Sequence, residues 1–233
     1  QMCIRDRHVP AHFLVGLVAL EGKQRQVAHE AFKSVVTLDR DHAAAWAHLA
    51  KLNVGEGRIA AAESALREVR RIQPSDPMVI ELTGTVLNSL GEYEAAELFF
   101  ERAHQMVPQS PSALMNLGNV RVFLGKIDEA VALFKRAIEL EPNSAQCHWG
   151  LANSEKAKDD SHIKTMQGLI DSGRQSKRSQ GFLHYAIGKE NEDLGNWADA
   201  FSAFTQGAQA RRETVEFSEA CLLYTSDAAD EHS

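Results

Sequence analysis

This chain is poor in the features that would cross-link it, carry it through a membrane or bind it to nucleic acid. Lysine and arginine total 25 against 32 aspartate and glutamate, a formal net charge of −7. A nucleic-acid footprint needs a strongly basic face, so that class is excluded. The longest apolar run, Phe13–Leu20, is interrupted by Gly16, whereas a membrane-spanning helix needs ~20 apolar residues. Ten histidines invite a metal reading. However, His8 and His12 flank Pro10 without an acidic or cysteine partner, and Cys147 and His148 are adjacent, so on a helix they point in different directions. No four-ligand spacing of the kind closed zinc sites use is present. There is also no glycine-rich phosphate loop, no nucleophile elbow and no run of alternating apolar residues that reads as a strand.

What is present is a period. Gly57, Gly91 and Gly125 are spaced by 34 residues, as are Ala62, Ala96 and Ala130, and Pro74, Pro108 and Pro142. Residues 111–142 show the unit most clearly: two amphipathic helices hinged at Leu124-Gly125-Lys126 and closed by Pro142. Trp46, Ile80 and Leu114 take the first inward position of each helix A, where a large side chain anchors the pair. Ala50, Gly84 and Gly118 sit where helix A meets helix B, and a small residue there lets the backbones approach. The three turn glycines suit a helix end that goes left-handed. Phe32, Leu66, Phe100 and Phe134 fill the space beneath the next unit, and the prolines stop helix B.

This predicts an all-α chain, a right-handed α-solenoid of helix pairs. Residues 8–142 form four units, the first looser because Gly22 comes one place early and Arg40 replaces proline. The unit from Ala145 starts in phase, but Lys156-Ala157-Lys158-Asp159-Asp160 stands where the glycine turn belongs. A helix is expected after it, capped by Asp160 or Ser161 and running through Ile163, Met166, Leu169 and Ile170. Residues 172–180 read as a basic loop that ends an irregular segment, 143–180. A further unit, 181–214, restores the pattern with Gly188, Gly195, Trp197, Ala200 and Phe204.

The two ends read as foreign. Met2-Cys3-Ile4-Arg5-Asp6-Arg7 can be written in codons as the antisense of Cys221-Leu222-Leu223-Tyr224-Thr225. Both resemble translated sequencing-library adapter, so residues 1–7 and 221–233 are set aside, with 215–220 expected to open a missing downstream region. Without these ends the chain carries 23 basic and 28 acidic side chains. Cys147 is then its one native cysteine, which suits a reducing, cytoplasmic setting.

Helical repeats present helix A to extended ligands. The candidate contact residues are therefore Lys51, Asn116, Asn119, Trp149, Asn153, Tyr185 and Lys189, with His48, Glu81 and Thr85 on the same faces. Amides can hold a peptide backbone from both sides and lysine can pair a carboxylate. The set lacks the several stacked basic residues that a carboxylate clamp would need. Asp159-Asp160-Ser161-His162 is read as a helix cap, because contiguous residues cannot converge on one reacting atom. No catalytic, cofactor or metal residue is assigned.

The 34-residue pattern over residues 9–142 resembles the tetratricopeptide-repeat family, which implies a protein or peptide partner. A second likeness rests on His148-Trp149-Gly150-Leu151, Asp159-Asp160-Ser161-His162-Ile163, Leu183-His184-Tyr185-Ala186-Ile187-Gly188-Lys189 and Glu192–Phe201. This succession is similar to the end of the repeat region in bacterial tetratricopeptide-repeat sulfotransferases. That resemblance implies a covalently attached catalytic domain downstream, with a Gly-x-Pro-Arg-Ser-Gly-Thr-Thr-type loop for 3′-phosphoadenosine 5′-phosphosulfate. No such loop occurs in these 233 residues, so no cofactor is expected in this chain. The other readings are a scaffold or co-chaperone-like adaptor, or the arm of another transferase such as a glycosyltransferase.

Overall fold

A computed structural model describes residues 8–215, so the adapter-like ends and residues 216–220 lie outside the described part. Among the described residues there are twelve helices and no strand. They are α1 Val9–Glu21, α2 Arg25–Leu38, α3 Ala43–Gly55, α4 Ile59–Ile72, α5 Pro77–Ser89, α6 Tyr93–Met106, α7 Pro111–Phe123, α8 Ile127–Leu140, α9 Ala145–Ser154, α10 Ser161–Asp171, α11 Lys177–Asp193 and α12 Trp197–Arg212. From α1 to α9 every start recurs at a 34-residue step, and helices α2, α4, α6 and α8 each end two residues before the proline position. The architecture is the all-α solenoid class that the period predicts. The chain divides into two compact units, one up to Glu129 and one from Ala130.

In the first unit, α1 packs on α2, α3 on α4 and α5 on α6. The close crossings are real: a Cβ on Gly16 would lie 2.6 Å from the Phe32 ring, and one on Gly84 2.7 Å from the Phe100 ring. Phe32, Leu66 and Phe100 are buried, as are Ala62 and Ala96. Trp46 differs from Ile80 and Leu114. Those two are fully buried, but Trp46 is only half-buried and its indole N–H donates to the Arg40 carbonyl at 2.9 Å. The indole is longer than the core is deep, and its polar edge stays within reach of a loop carbonyl.

The turn glycines behave as their positions require, with φ of +71°, +80° and +74° at Gly57, Gly91 and Gly125. In the first pair Gly22 is not the equivalent residue. Its φ is −76°, and the left-handed residue is Lys23, at φ +56°. The phase therefore holds without slippage, with lysine occupying a glycine conformation.

The second unit is built on α9, α11 and α12, with α10 laid against α11. Its core gathers Ala145, Ala152, Met166, Leu183, Ala186, Ile187 and Ala203. Gly188 faces the Phe204 ring, the same close approach as in the first unit, whereas Gly150 faces the Phe134 ring of the preceding helix, α8. Two expectations need correction. The loop over 172–180 is shorter, because α11 begins at Lys177. Ser176 caps it by accepting from the Ser179 N–H at 3.1 Å, and Lys177, Arg178 and Gln180 are good helix formers. Asp160 stands at the N-cap of α10 as expected, but its side chain makes no capping bond: the Ser161 N–H donates to the Asp159 carboxylate at 2.8 Å, while Asp160 pairs with Lys164.

Candidate functional site

The helix-A residues expected to meet a ligand are not all free to do so. In the first unit the Asn116 amide donates to Glu81 at 2.7 Å, and the Ser112 hydroxyl reaches the other Glu81 oxygen at 3.4 Å. Glu81 and Ser112 rim a cleft of about 480 Å³ between α5 and the start of α7, walled by Leu82, Thr85 and Met78. Met78 is 80% exposed. Asn119 is half-buried on α7. Lys51 is exposed and borders a different cleft, with His48, near the α1–α2 turn.

In the second unit, Lys189 forms an ion pair with Asp193 four residues on, and the Asn153 amide folds back onto the Trp149 carbonyl at 2.7 Å. Trp149 presents its ring beside Phe182 in an edge contact at 5.8 Å, and Tyr185 is half-buried with its ring 6.4 Å from Phe204. Trp149 is thus partly exposed and Tyr185 half-buried, whereas Lys189 and Asn153 are engaged locally.

Sequence reasoning missed the polar centre of this unit. The His148 Nε2 lies 2.9 Å from the Pro142 carbonyl, and its Nδ1 lies 2.7 Å from the His162 Nε2. The His162 Nδ1 lies 2.5 Å from a Glu190 oxygen. His148 and Glu190 are buried. A carbonyl only accepts, so His148 carries its proton on Nε2. Burial holds that ring below the ordinary histidine pKa, and the nearby His162 lowers it further while the Pro142 bond and Glu190 oppose the shift. A neutral His148 accepts at Nδ1 from the His162 Nε2–H, which leaves a single proton between His162 and Glu190.

All four ring nitrogens are thus engaged, and this arrangement ties α10 to α9 and α11 rather than offering a free base. The second Glu190 oxygen is buried without a protein partner. An open cleft of about 360 Å³ beside it is bordered by Lys135, Lys156, Lys158 and His162. The signal was in the period: His148 stands in the anchor column of Trp46, Ile80 and Leu114. A polar group in an apolar column requires a partner.

Among the described residues no group of three or more potential metal ligands converges, and no helix is long and apolar enough to cross a membrane. Cys147 is buried, and burial pushes its thiol pKa up, which opposes reactivity.

The periodic helix pairs, glycine turns and close ring-on-glycine crossings define a helical-repeat protein. A tetratricopeptide-repeat family model matches residues 19–84 and 87–153, more than half of the chain, which therefore belongs to the tetratricopeptide-repeat family. No curated protein matches it by sequence. Among solved structures it is similar to PilF of Pseudomonas aeruginosa, at 21% identity and a TM-score of 0.65, over 99% of this chain and 100% of that one. It is also similar to PilW, a type IV pilus biogenesis factor, at 17% identity and 0.67, over 89% and 95% of the two chains. YrrB, described as a TPR protein with an unusual peptide-binding site, matches at 15% identity and 0.54, over 84% and 92%. At these identities the likeness concerns the fold.

Proposed function

We propose that this chain binds and positions a polypeptide through the helix-A clefts of its repeats. The observation that carries the reading is the cleft between α5 and α7. It combines an apolar wall, exposed Met78 and half-buried Leu82, with a rim residue, Glu81, fixed in advance by its bond to Asn116. Fixed polar groups beside an apolar trough recognise a chain at low ordering cost. The peptide-binding description of YrrB and the pilus-assembly role of PilW are consistent with such work. The test is selection of peptides from a displayed library on the immobilised chain, followed by calorimetry. Enriched peptides should bind at least tenfold more weakly to the Met78→Asp variant, whose site is too exposed to disturb folding. No enrichment over a helical-bundle control, or indifference to Met78→Asp, overturns the reading.

The finer proposal is that the chain is the non-catalytic arm of a sulfotransferase, working in the cytoplasm and presenting an acceptor to an attached domain. Support comes from the segments that carry the resemblance: His148 and His162 join two of them, and Glu190, which follows the third, completes the buried knot. The donor, 3′-phosphoadenosine 5′-phosphosulfate, would belong to that domain, and this chain should give no heat with it in calorimetry. Resequencing the source gene past codon 220 decides between readings. A Pro-Arg-Ser-Gly-Thr-Thr-type loop within a few dozen codons supports the arm; a stop or further 34-residue units favours an adaptor.

A further inference from the structure

Among the described residues of the first unit, five lysine and arginine side chains form ion pairs. Arg58 meets Glu56, Arg70 meets Glu92, Arg71 meets Asp41 and Glu68, and Arg121 and Lys126 share Glu97. Of those without one, three meet in a single cleft. Lys23, Arg25 and Lys51 border a single cleft of about 500 Å³ with His48, against the apolar side chains of Leu20 and Leu52, and no carboxylate lines it. None of the three cations has an ion-pair partner among the described residues, in a chain with a net charge of −7. Such a concentration of unpaired positive charge raises the local potential for an anion.

Two further features converge there. α2 starts at Arg25 without a side-chain cap and with no acidic residue in its first turn, so its opening amides and dipole are unmet. Lys23 also holds a left-handed backbone at φ +56°, where the next three pairs use glycine. Glycine there would remove the strain, and the lysine instead places a cation at the mouth of the cleft. The His48 Nδ1 is buried and unpartnered, with the ring stacked on Phe32 at 4.7 Å. It offers the cleft a neutral, aromatic floor.

We propose that the cleft between the α1–α2 turn and the C-terminal half of α3 is a carboxylate-binding site for an acidic segment of polypeptide. The segment's Asp or Glu carboxylates meet Lys23, Arg25 and Lys51 while an adjacent apolar residue rests on Leu20 and Leu52. This deepens the polypeptide-binding reading and rests on it, but it names a cleft separate from the one bordered by Met78. The position differs from the helix-A faces considered from sequence, because two of the three cations come from the turn and from helix B.

The test uses the whole chain, labelled for amide NMR. The probes are N-acetylated hexapeptides alternating leucine with glutamate, one amidated and one with a free carboxyl end, and a glutamine version as control. The glutamate peptides should shift the amides of Gln26, Leu52 and Gly55, weaken with added salt, and lose at least tenfold affinity in Lys51→Glu and in Lys23→Gly. Lys23→Gly suits the backbone and guards against loss through misfolding. Binding by both glutamate peptides assigns the site to side-chain carboxylates; binding only by the free-ended one assigns it to chain termini. Equal binding of the glutamine peptide, no binding, or retention in the Lys51→Glu variant overturns the proposal. Shifts confined to α5 and α7 would overturn this cleft while leaving the polypeptide-binding reading intact.

Discussion

Single residues set this fold's tolerances. Gly84 has no room for a methyl group: a Cβ there would stand 2.7 Å from the Phe100 ring, which is itself buried. Gly84→Ala should therefore destabilise the chain by ~1–3 kcal/mol through overpacking, read as a lowered urea midpoint at unchanged slope. An unchanged midpoint would mean the α5–α6 crossing is looser than described. Lys23 predicts the opposite sign. Relieving its left-handed backbone with glycine should stabilise by about 1 kcal/mol, the strain removed less the added freedom of the unfolded chain. Denaturant titration of Lys23→Gly checks it, and a loss of stability would assign Lys23 a native contact. That lysine also shows what the sequence concealed: the period located the turn, but reading Gly22 as a displaced turn glycine hid the strained residue beside it.

At the scale of helices, α10 is the weak member. Only Met166 among its residues is buried, with Ile163, Leu169 and Ile170 partly covered. Otherwise it is held by His162 between His148 and Glu190. Hydrogen exchange of the Ser161–Asp171 amides should be faster than that of α11, with lower opening free energy. His162→Ala should speed α10 further and leave α4 unchanged; equal protection across α10 and α11 would contradict the anchoring role.

The helices themselves were legible because glycine, alanine and aromatic positions recur with the stacking that buries them. The start of α11 was not, because a basic, serine-containing stretch fits a loop and a capped helix equally until Ser176 is seen to cap. The candidate contact residues were legible as positions only. Which of them engage their own helix, as Lys189 and Asn153 do, depends on neighbours four residues away that the spacing argument did not weigh. His148 was legible as a polar residue in the apolar anchor column, but Glu190 was not, because it lies far along the chain and carries no motif.

For the whole molecule the histidines set the response to acid. His48 is lowered to about 4, first by burial and then by Lys51 and His42. His148 and His184 are lowered mainly by burial. These are bases depressed in the folded state, so between about pH 4 and the ordinary histidine value near 6.5 the unfolded chain binds more protons. Stability is then complete above about 6.5 and falls as pH drops toward 4. His48 alone accounts for at most ~3 kcal/mol of that, at about 1.4 kcal/mol per pH unit. Thermal melts from pH 7.5 to 4.5 should show a falling Tm, and His48→Gln should flatten part of the slope; a flat wild-type profile would show that these rings are solvated. The window also contains the isoelectric point near 5.8, so acidification should favour precipitation as net charge vanishes.

The histidine knot has a consequence for how the repeats can be exchanged. Pairs of 34 residues bury their apolar faces by stacking on their neighbours, and some add a polar link across the junction, as Glu97 does with Arg121 and Lys126. The pair starting at Ala145 asks for a particular residue in its successor, because His162 is answered by Glu190 on α11. Grafted alone into another array, it would bring two histidines into a core with no acid to meet them. Residues 145–212 therefore form an indivisible cassette, to be duplicated, deleted or transplanted only as a whole.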